Sequence, residues 1–191
     1  MLNLILTQNN ENDSLFAAEV HWVQDGKNNQ DVLTVELGKI DVSQWNNLKE
    51  TFLNKILADK TSLDIKINQL RWNDLVGSNA QLTGKVSQNK LSEAKFSCTL
   101  PEESSLIISG EYDLQTKSVS GELSFGSMDA LALLNETFPK IKAYLPSQKL
   151  KQLQVTGKMT ATPESIRLET TTALVDDVKF SGLFGYDFKT K

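Results

Sequence analysis

Leu82-Thr83-Gly84-Lys85-Val86 comes round again about 73 residues later as Val155-Thr156-Gly157-Lys158-Met159. Roughly 25 residues beyond each copy, Ile108-Ser109-Gly110 with Tyr112-Asp113 is matched by Phe180-Ser181-Gly182 with Tyr186-Asp187. These units alternate polar with apolar residues, the period-two pattern of a strand with one wet face and one dry face. A repeated strand-turn unit builds an extended sheet, and the shape of that sheet, rather than a cluster of reactive groups, becomes the functional object.

The alternation spreads outward from these copies. Leu15 to Trp22 and Val32 to Ile40 flank a polar loop containing Asp25-Gly26, a hairpin signal. Leu63, Ile65 and Ile67 alternate with Asp64, Lys66 and Asn68. Gln81 to Val86 and Leu91 to Leu100 are joined by Ser87-Gln88-Asn89-Lys90, and Leu106 to Leu114 and Val119 to Phe125 by Gln115-Thr116-Lys117. Leu153 to Ala161, Ile166 to Leu174 and Val178 to Phe188 complete the series, with Pro163 and Asp176-Asp177 between them. In the last run Val178, Phe180, Phe184, Tyr186 and Phe188 share a face with Gly182, along a strand about 35 Å long. Pro101 and Pro163 fall between runs, where no ladder hydrogen bond is lost.

Two segments depart from period two. Ser43 can cap a helix carrying Trp45, Leu48, Phe52 and Ile56 on one stripe. Ser127 can cap a second, with Leu131, Leu134 and Phe138 on one side and Pro139 to end or kink it. The expected fold is therefore mainly β: an antiparallel meander of about ten strands forming a curled or groove-like sheet, with amphipathic helices at about 43–58 and 128–144. Residues 1–191 read as one β-rich domain or as a fragment of a longer repeat protein.

The 191 residues suffice for a sizeable core, and 39% hydrophobic with 23% charged residues fits a folded chain rather than a disordered one. A net charge of −4 with thinly spread basic residues argues against nucleic acid as a partner. The single cysteine, Cys98, allows no internal disulfide and sits at an inward strand position. No apolar run approaches the roughly 20 residues of a membrane-spanning helix. Met1 to Leu6 is too short for a signal peptide, so the chain reads as unanchored, or as the cut end of a longer protein.

Reactive constellations are missing. His21 is the only histidine and lies on the polar phase of a strand, which excludes a two-histidine zinc site. No Cys-x-x-Cys, P-loop, Gly-x-Gly-x-x-Gly or His-Glu-x-x-His occurs. Glu102-Glu103 and Asp176-Asp177 are adjacent acids in turns, not carboxylates facing a shared cleft. Asn135-Glu136-Thr137 matches a glycosylation acceptor by chance, inside an expected helix. Trp22, Trp45 and Trp72 could form a sugar platform but fit sheet packing better. The expectation is no enzyme, no cofactor and no metal.

The rhythm of these motifs resembles the AsmA-like C-terminal region of the AsmA/TamB superfamily of bacterial envelope proteins. The resemblance is carried by Leu63-Asp64-Ile65-Lys66-Ile67 with Gln69-Leu70-Arg71-Trp72, by Leu82-Thr83-Gly84-Lys85-Val86, and by Ile108-Ser109-Gly110-Glu111-Tyr112-Asp113-Leu114. It continues through Val119-Ser120-Gly121-Glu122-Leu123-Ser124-Phe125, Met128 to Leu134 and Phe180-Ser181-Gly182, covering 63–188, with 1–60 as a more divergent repeat. It implies a non-enzymatic, periplasmic protein, anchored in the inner membrane, whose apolar β-groove guides phospholipid acyl chains toward the outer membrane. The family's membrane anchor is absent from this sequence.

A strictly alternating sheet has one greasy face, and it is either sealed as the protein's own core or left open. An acyl chain laid along an open face gains about 0.8 kcal/mol per buried methylene. The candidate groove residues are Phe96, Leu106, Ile108, Tyr112, Phe125, Phe180, Phe184, Tyr186 and Phe188. The expected partner is a phospholipid or other acyl-chain lipid. The alternatives are an envelope-protein scaffold with a closed β core, and a carbohydrate-binding β module.

Overall fold

The structure is a computed structural model and describes residues 2–9, 15–25, 30–41, 61–72, 75–137 and 151–188. Among the described residues eleven strands form one sheet in strict chain order: β1 (Leu2–Asn9), β2 (Leu15–Asp25), β3 (Gln30–Asp41), β4 (Thr61–Trp72), β5 (Leu75–Ser87), β6 (Lys90–Leu100), β7 (Ser104–Asp113), β8 (Ser118–Ser127), β9 (Leu153–Ala161), β10 (Ser165–Val175) and β11 (Val178–Asp187). The mainly β, meandering architecture read from the alternation is the one observed. Most strands run a few residues past the expected bounds, and two differences are larger. Leu2–Asn9 adds an eleventh strand at one edge, and β5 begins at Leu75 rather than Gln81.

Every neighbouring pair is antiparallel except β3 and β4, which run parallel with Leu33 beside Leu63, Val35 beside Ile65 and Leu37 beside Ile67. An all-antiparallel meander therefore needs this one correction. A parallel step requires a return connection, and that connection falls in residues 42–60, outside the described residues, with the expected helix at 43–58. The turns that are described follow from local chemistry. Gln88 and Asn89 both take positive φ (49° and 62°), the two-residue turn whose twist matches a hairpin. After β7, the Asp113 carboxylate accepts the N–H groups of Gln115 and Thr116 at 2.9 and 2.8 Å.

The second expected helix is shorter where described: α1 spans Ala130–Thr137, and residues 138–150 lie outside the described residues. Its cap is Asp129, not Ser127. The Asp129 Oδ1 accepts the Ala132 N–H at 3.0 Å, satisfying a donor that the helix itself leaves open. Ser127 instead ends β8, buried, where its hydroxyl bonds that of Ser104 at 2.8 Å. The helix buries Ala130 and Leu133, whereas Leu131 is only half-buried, so the inward stripe lies one position before the one expected. The Ala130 N–H donates to the Lys151 carbonyl at 2.9 Å and ties the helix start to the approach to β9.

Register shifts between β5 and β6, β6 and β7, β9 and β10, and β10 and β11 interrupt the ladders. Such bulges bend and twist the strands that carry them. Glu93, at the β6 shift, holds a positive φ of 51°. The polar face carries cross-strand pairs: Lys66 Nζ to the ladder partner Glu36 at 3.1 Å, and, off register, Gln81 to Asp64 at 2.7 Å and Lys85 to Glu93 at 2.8 Å. Exposed pairs of this kind contribute little each, and their effect is to keep this face wet.

Candidate functional site: an apolar face that opens along the sheet

Following the register across the ladders shows what the apolar residues build. One rung runs Val20, Val35, Ile65, Leu82, Phe96, Ile108, Leu123 and Gly157, through eight strands without leaving the face. A second runs Cys98, Leu106, Phe125, Val155, Ala173 and Phe180. A third runs Ala94, Gly110, Gly121, Met159, Leu168 and Phe184, and a fourth Leu91, Tyr112, Val119, Ala161, Ile166 and Tyr186. Eight of the nine candidate groove residues are therefore members of these four rungs. The ninth, Phe188, follows β11 in the same pleat phase, with its ring 5.4 Å from that of Tyr186, edge to face.

Exposure changes along the face. On β3 and β4 the residues Leu33, Val35, Leu63, Ile65 and Ile67 are all buried and form the core with Val86, Leu91 and Cys98. Phe96, Leu106, Ile108, Tyr112 and Phe125 are half-buried. On β11 Phe180, Phe184 and Tyr186 are 54, 58 and 54% exposed. No ladder among the described residues joins β11 to β1, so the sheet stays open rather than closing as a barrel.

Between the sealed and open ends lies a hollow of about 350 Å³. Leu63 and Ile65 of β4 line it on one side and Met159 of β9 on the other, with Phe96, Ile108 and Tyr112 between them. Strands this far apart in order line one hollow because the sheet is concave on its apolar face. The third rung explains where the space comes from. Ala94, Gly110 and Gly121 stand side by side on β6, β7 and β8 and contribute almost no side-chain volume, while the rungs on either side carry Phe96, Ile108 and Leu123 or Leu91, Tyr112 and Val119. The glycines are required there. A Cβ on Gly110, whose φ is +153°, would strike the Ser120 carbonyl oxygen, and one on Gly121 would strike that of Ser109. The small-residue row escaped the sequence reading because Gly110 and Gly121 are separated by a turn, and only the register sets them opposite.

The chemistry of the hollow is apolar. Glu111 reaches its rim, and Tyr112 offers the one phenol among the lining residues. Burial holds the Tyr112 hydroxyl above its ordinary pKa, with the Asp113 carboxylate adding to the effect, so it is neutral near pH 7. Among the described residues no group of acids, cysteines and histidines could hold a metal. Also among them, no helix is long and apolar enough to cross a membrane.

The remaining sequence candidates are dispersed. His21 is half-buried in β2, across from Thr34 of β3. Glu102 and Glu103 form the turn before β7. The Asp176 carboxylate accepts the N–H groups of Lys151 and Gln152 at 2.9 and 2.8 Å, a structural clamp on the β10–β11 turn. Trp72 is exposed at the end of β4, Trp22 lies in β2, and Trp45 is outside the described residues. No protein-family model, curated protein or solved structure matches the chain.

Proposed function

We propose that this chain is a segment of a non-enzymatic envelope-biogenesis protein whose concave apolar face holds the acyl chains of phospholipid. The observation that carries this reading is the continuity of the apolar rungs from a sealed core at β3–β4, through the hollow, to exposed aromatics on β11. Monomeric soluble proteins rarely leave so large a contiguous apolar surface uncovered. An acyl chain needs no polar recognition, only length and dryness, and the four rungs supply both. On the resemblance to the AsmA/TamB superfamily, the compartment is the periplasm. On the same ground the full protein is anchored in the inner membrane, and the lipid moves between inner and outer membranes.

The test is photocrosslinking from a diazirine amino acid at Phe184 and at Met159, which lines the hollow, with native mass spectrometry of the protein purified from bacteria. Acyl-chain lipid captured at both positions supports the reading. Bulk in the hollow should then matter: Ala94→Phe is expected to remove crosslinking at the hollow while leaving capture at Phe184. Absence of lipid from both positions and from the native spectra overturns it.

A further inference from the structure

The hollow has one shut end and one loose end. On the β4–β5 side Leu63, Ile65, Val86 and Leu91 close it, and all four are buried. Gly84 of β5, paired with Leu63, would continue the bare row of Ala94, Gly110 and Gly121, but the Leu91 side chain already lies where its Cβ would be. On the β9 side the boundary is Met159, half-buried, an unbranched side chain that swings aside at little cost. Along β7 Ile108 and Tyr112 rise on either side of Gly110, about 13 Å apart, and their side chains leave a lane one hydrocarbon chain wide. Across the strands, three spacings of about 4.8 Å make a floor about 14 Å long. A carbon chain with bonds of about 1.52 Å at about 111° advances about 1.25 Å per carbon, so the floor takes about eleven carbons. A volume of about 350 Å³ stands at the small end of ligand sites, with room for one chain and not two.

We propose that the hollow receives one straight acyl chain of a phospholipid, terminal methyl first, with the methyl against Leu63 and Leu91 and the ester end leaving past Met159. This rests on the acyl-chain reading above and adds to it an orientation and a depth. The orientation follows from desolvation. A phosphate or ester carried to the shut end would lose its water, and Leu63, Ile65, Val86 and Leu91 offer no donor to replace it. A methyl group has no such bonds to lose. The depth follows from Leu91, whose side chain over Gly84 ends the lane one strand short of β4. The width turns away fused rings and branched chains, which need the space that Ile108 and Tyr112 occupy. The second chain of the same lipid has no place in the lane and lies outside it.

The experiment incubates the full chain with phosphatidylcholine vesicles in which one acyl chain carries a diazirine, at the terminal methyl in one preparation and beside the ester in the other. Captured residues are mapped by peptide mass spectrometry. The methyl-end probe is expected on Leu63, Ile65 or Leu91, and the ester-side probe at Met159 or beyond it on β10. Ala94→Leu, which fills the floor near the shut end, should cut capture of the methyl-end probe at Leu63 about tenfold, as roughly two methylenes are driven out. Should that variant not fold, the two probes on the unaltered chain decide alone. Both probes captured equally at Leu63 and at Met159, or the ester-side probe alone at Leu63, overturn the orientation and leave the acyl-chain reading standing. Capture confined to β11 does the same. Capture of neither probe anywhere overturns both. Capture of methyl-labelled free palmitic acid in the hollow, with none of the phospholipid, makes a fatty acid the occupant and overturns the phospholipid assignment.

Discussion

Gly110 stands directly across from Gly121 in the β7–β8 ladder, and the backbone of each strand occupies the space a side chain on the other would need. The Gly110 Cα would lie 2.8 Å from a Cβ at position 121, so neither strand can yield without breaking its ladder. Gly121→Ala is therefore expected to cost at least about 2 kcal/mol, the scale of overpacking in a fixed surround. In a chain of this size that lowers the melting temperature by roughly 5–8 °C, readable by circular dichroism. A melting temperature unchanged by Gly121→Ala would show that the two strands are not this close.

The alternation exposed most of the fold before any coordinates, because a strand with one wet face writes its period directly into the chain. The pairs Leu82–Val86 with Val155–Met159, and Ile108–Gly110 with Phe180–Gly182, did mark equivalent strands, β5 with β9 and β7 with β11. The parallel β3–β4 step was less legible, since Val35, Leu37 and Ile65 alternate in the same way whichever direction a neighbour runs. Asp129 was overlooked as the cap because Ser127, also a good capping residue, precedes it by two positions and is claimed by Ser104. That the nine aromatic and aliphatic candidates share one face of the sheet was readable from phase alone. The hollow beside them was not, because it is made by side chains that are missing from one rung of several strands.

Ser104 and Ser127 form a buried hydroxyl pair at 2.8 Å, at the end of the sheet where β8 hands over to α1. Removing Ser104 strands the Ser127 hydroxyl, removing Ser127 leaves Ser104 only its longer 3.3 Å bond to the Glu102 carbonyl, and removing both leaves only a small loss of packing. Ser127→Ala and Ser104→Ala should each cost about 1–2 kcal/mol by urea denaturation, and the double variant clearly less than their sum. Strict additivity would mean that the hydroxyls do not depend on one another.

Asp113 caps the turn after β7 with its carboxylate, and the N–H of Thr116 is the main cause that holds its pKa below the ordinary aspartate value. The folded pKa is depressed, so the stabilisation is fully present above the unfolded aspartate pKa and is lost as pH falls through the folded one. Carbon-13 titration of the Asp113 carboxyl should show a midpoint below about 3.9. Asp113→Ala should flatten the loss of stability in that acid window and leave the neutral range otherwise similar in shape. A midpoint at or above the ordinary value would rule out the capping role.

Gly77 packs against Cys98, with room for no more than a hydrogen between them: a Cβ at position 77 would meet the Cys98 Sγ. Its remaining neighbours, the Thr99 carbonyl oxygen and Leu100 Cδ2, would stand at 3.4 and 3.5 Å, ordinary contacts. The conflict is therefore with one atom, which makes it separable. Gly77→Ala alone should destabilise the protein by about 1–3 kcal/mol, the overpacking range. Cys98→Ala alone removes a buried sulfur and should also cost stability. Combined, the two changes exchange a small side chain across the ladder, and the double variant should be more stable than the sum of the singles predicts by about 1 kcal/mol. Thiol accessibility offers an independent reading of the same contact. Burial holds the Cys98 thiol above its ordinary pKa, so labelling by a thiol-specific reagent should wait for unfolding. In Gly77→Ala, where the sulfur is displaced, labelling should become faster in proportion to the lost stability. Prompt labelling of the unaltered protein would mean that Cys98 is not enclosed by β5 at all.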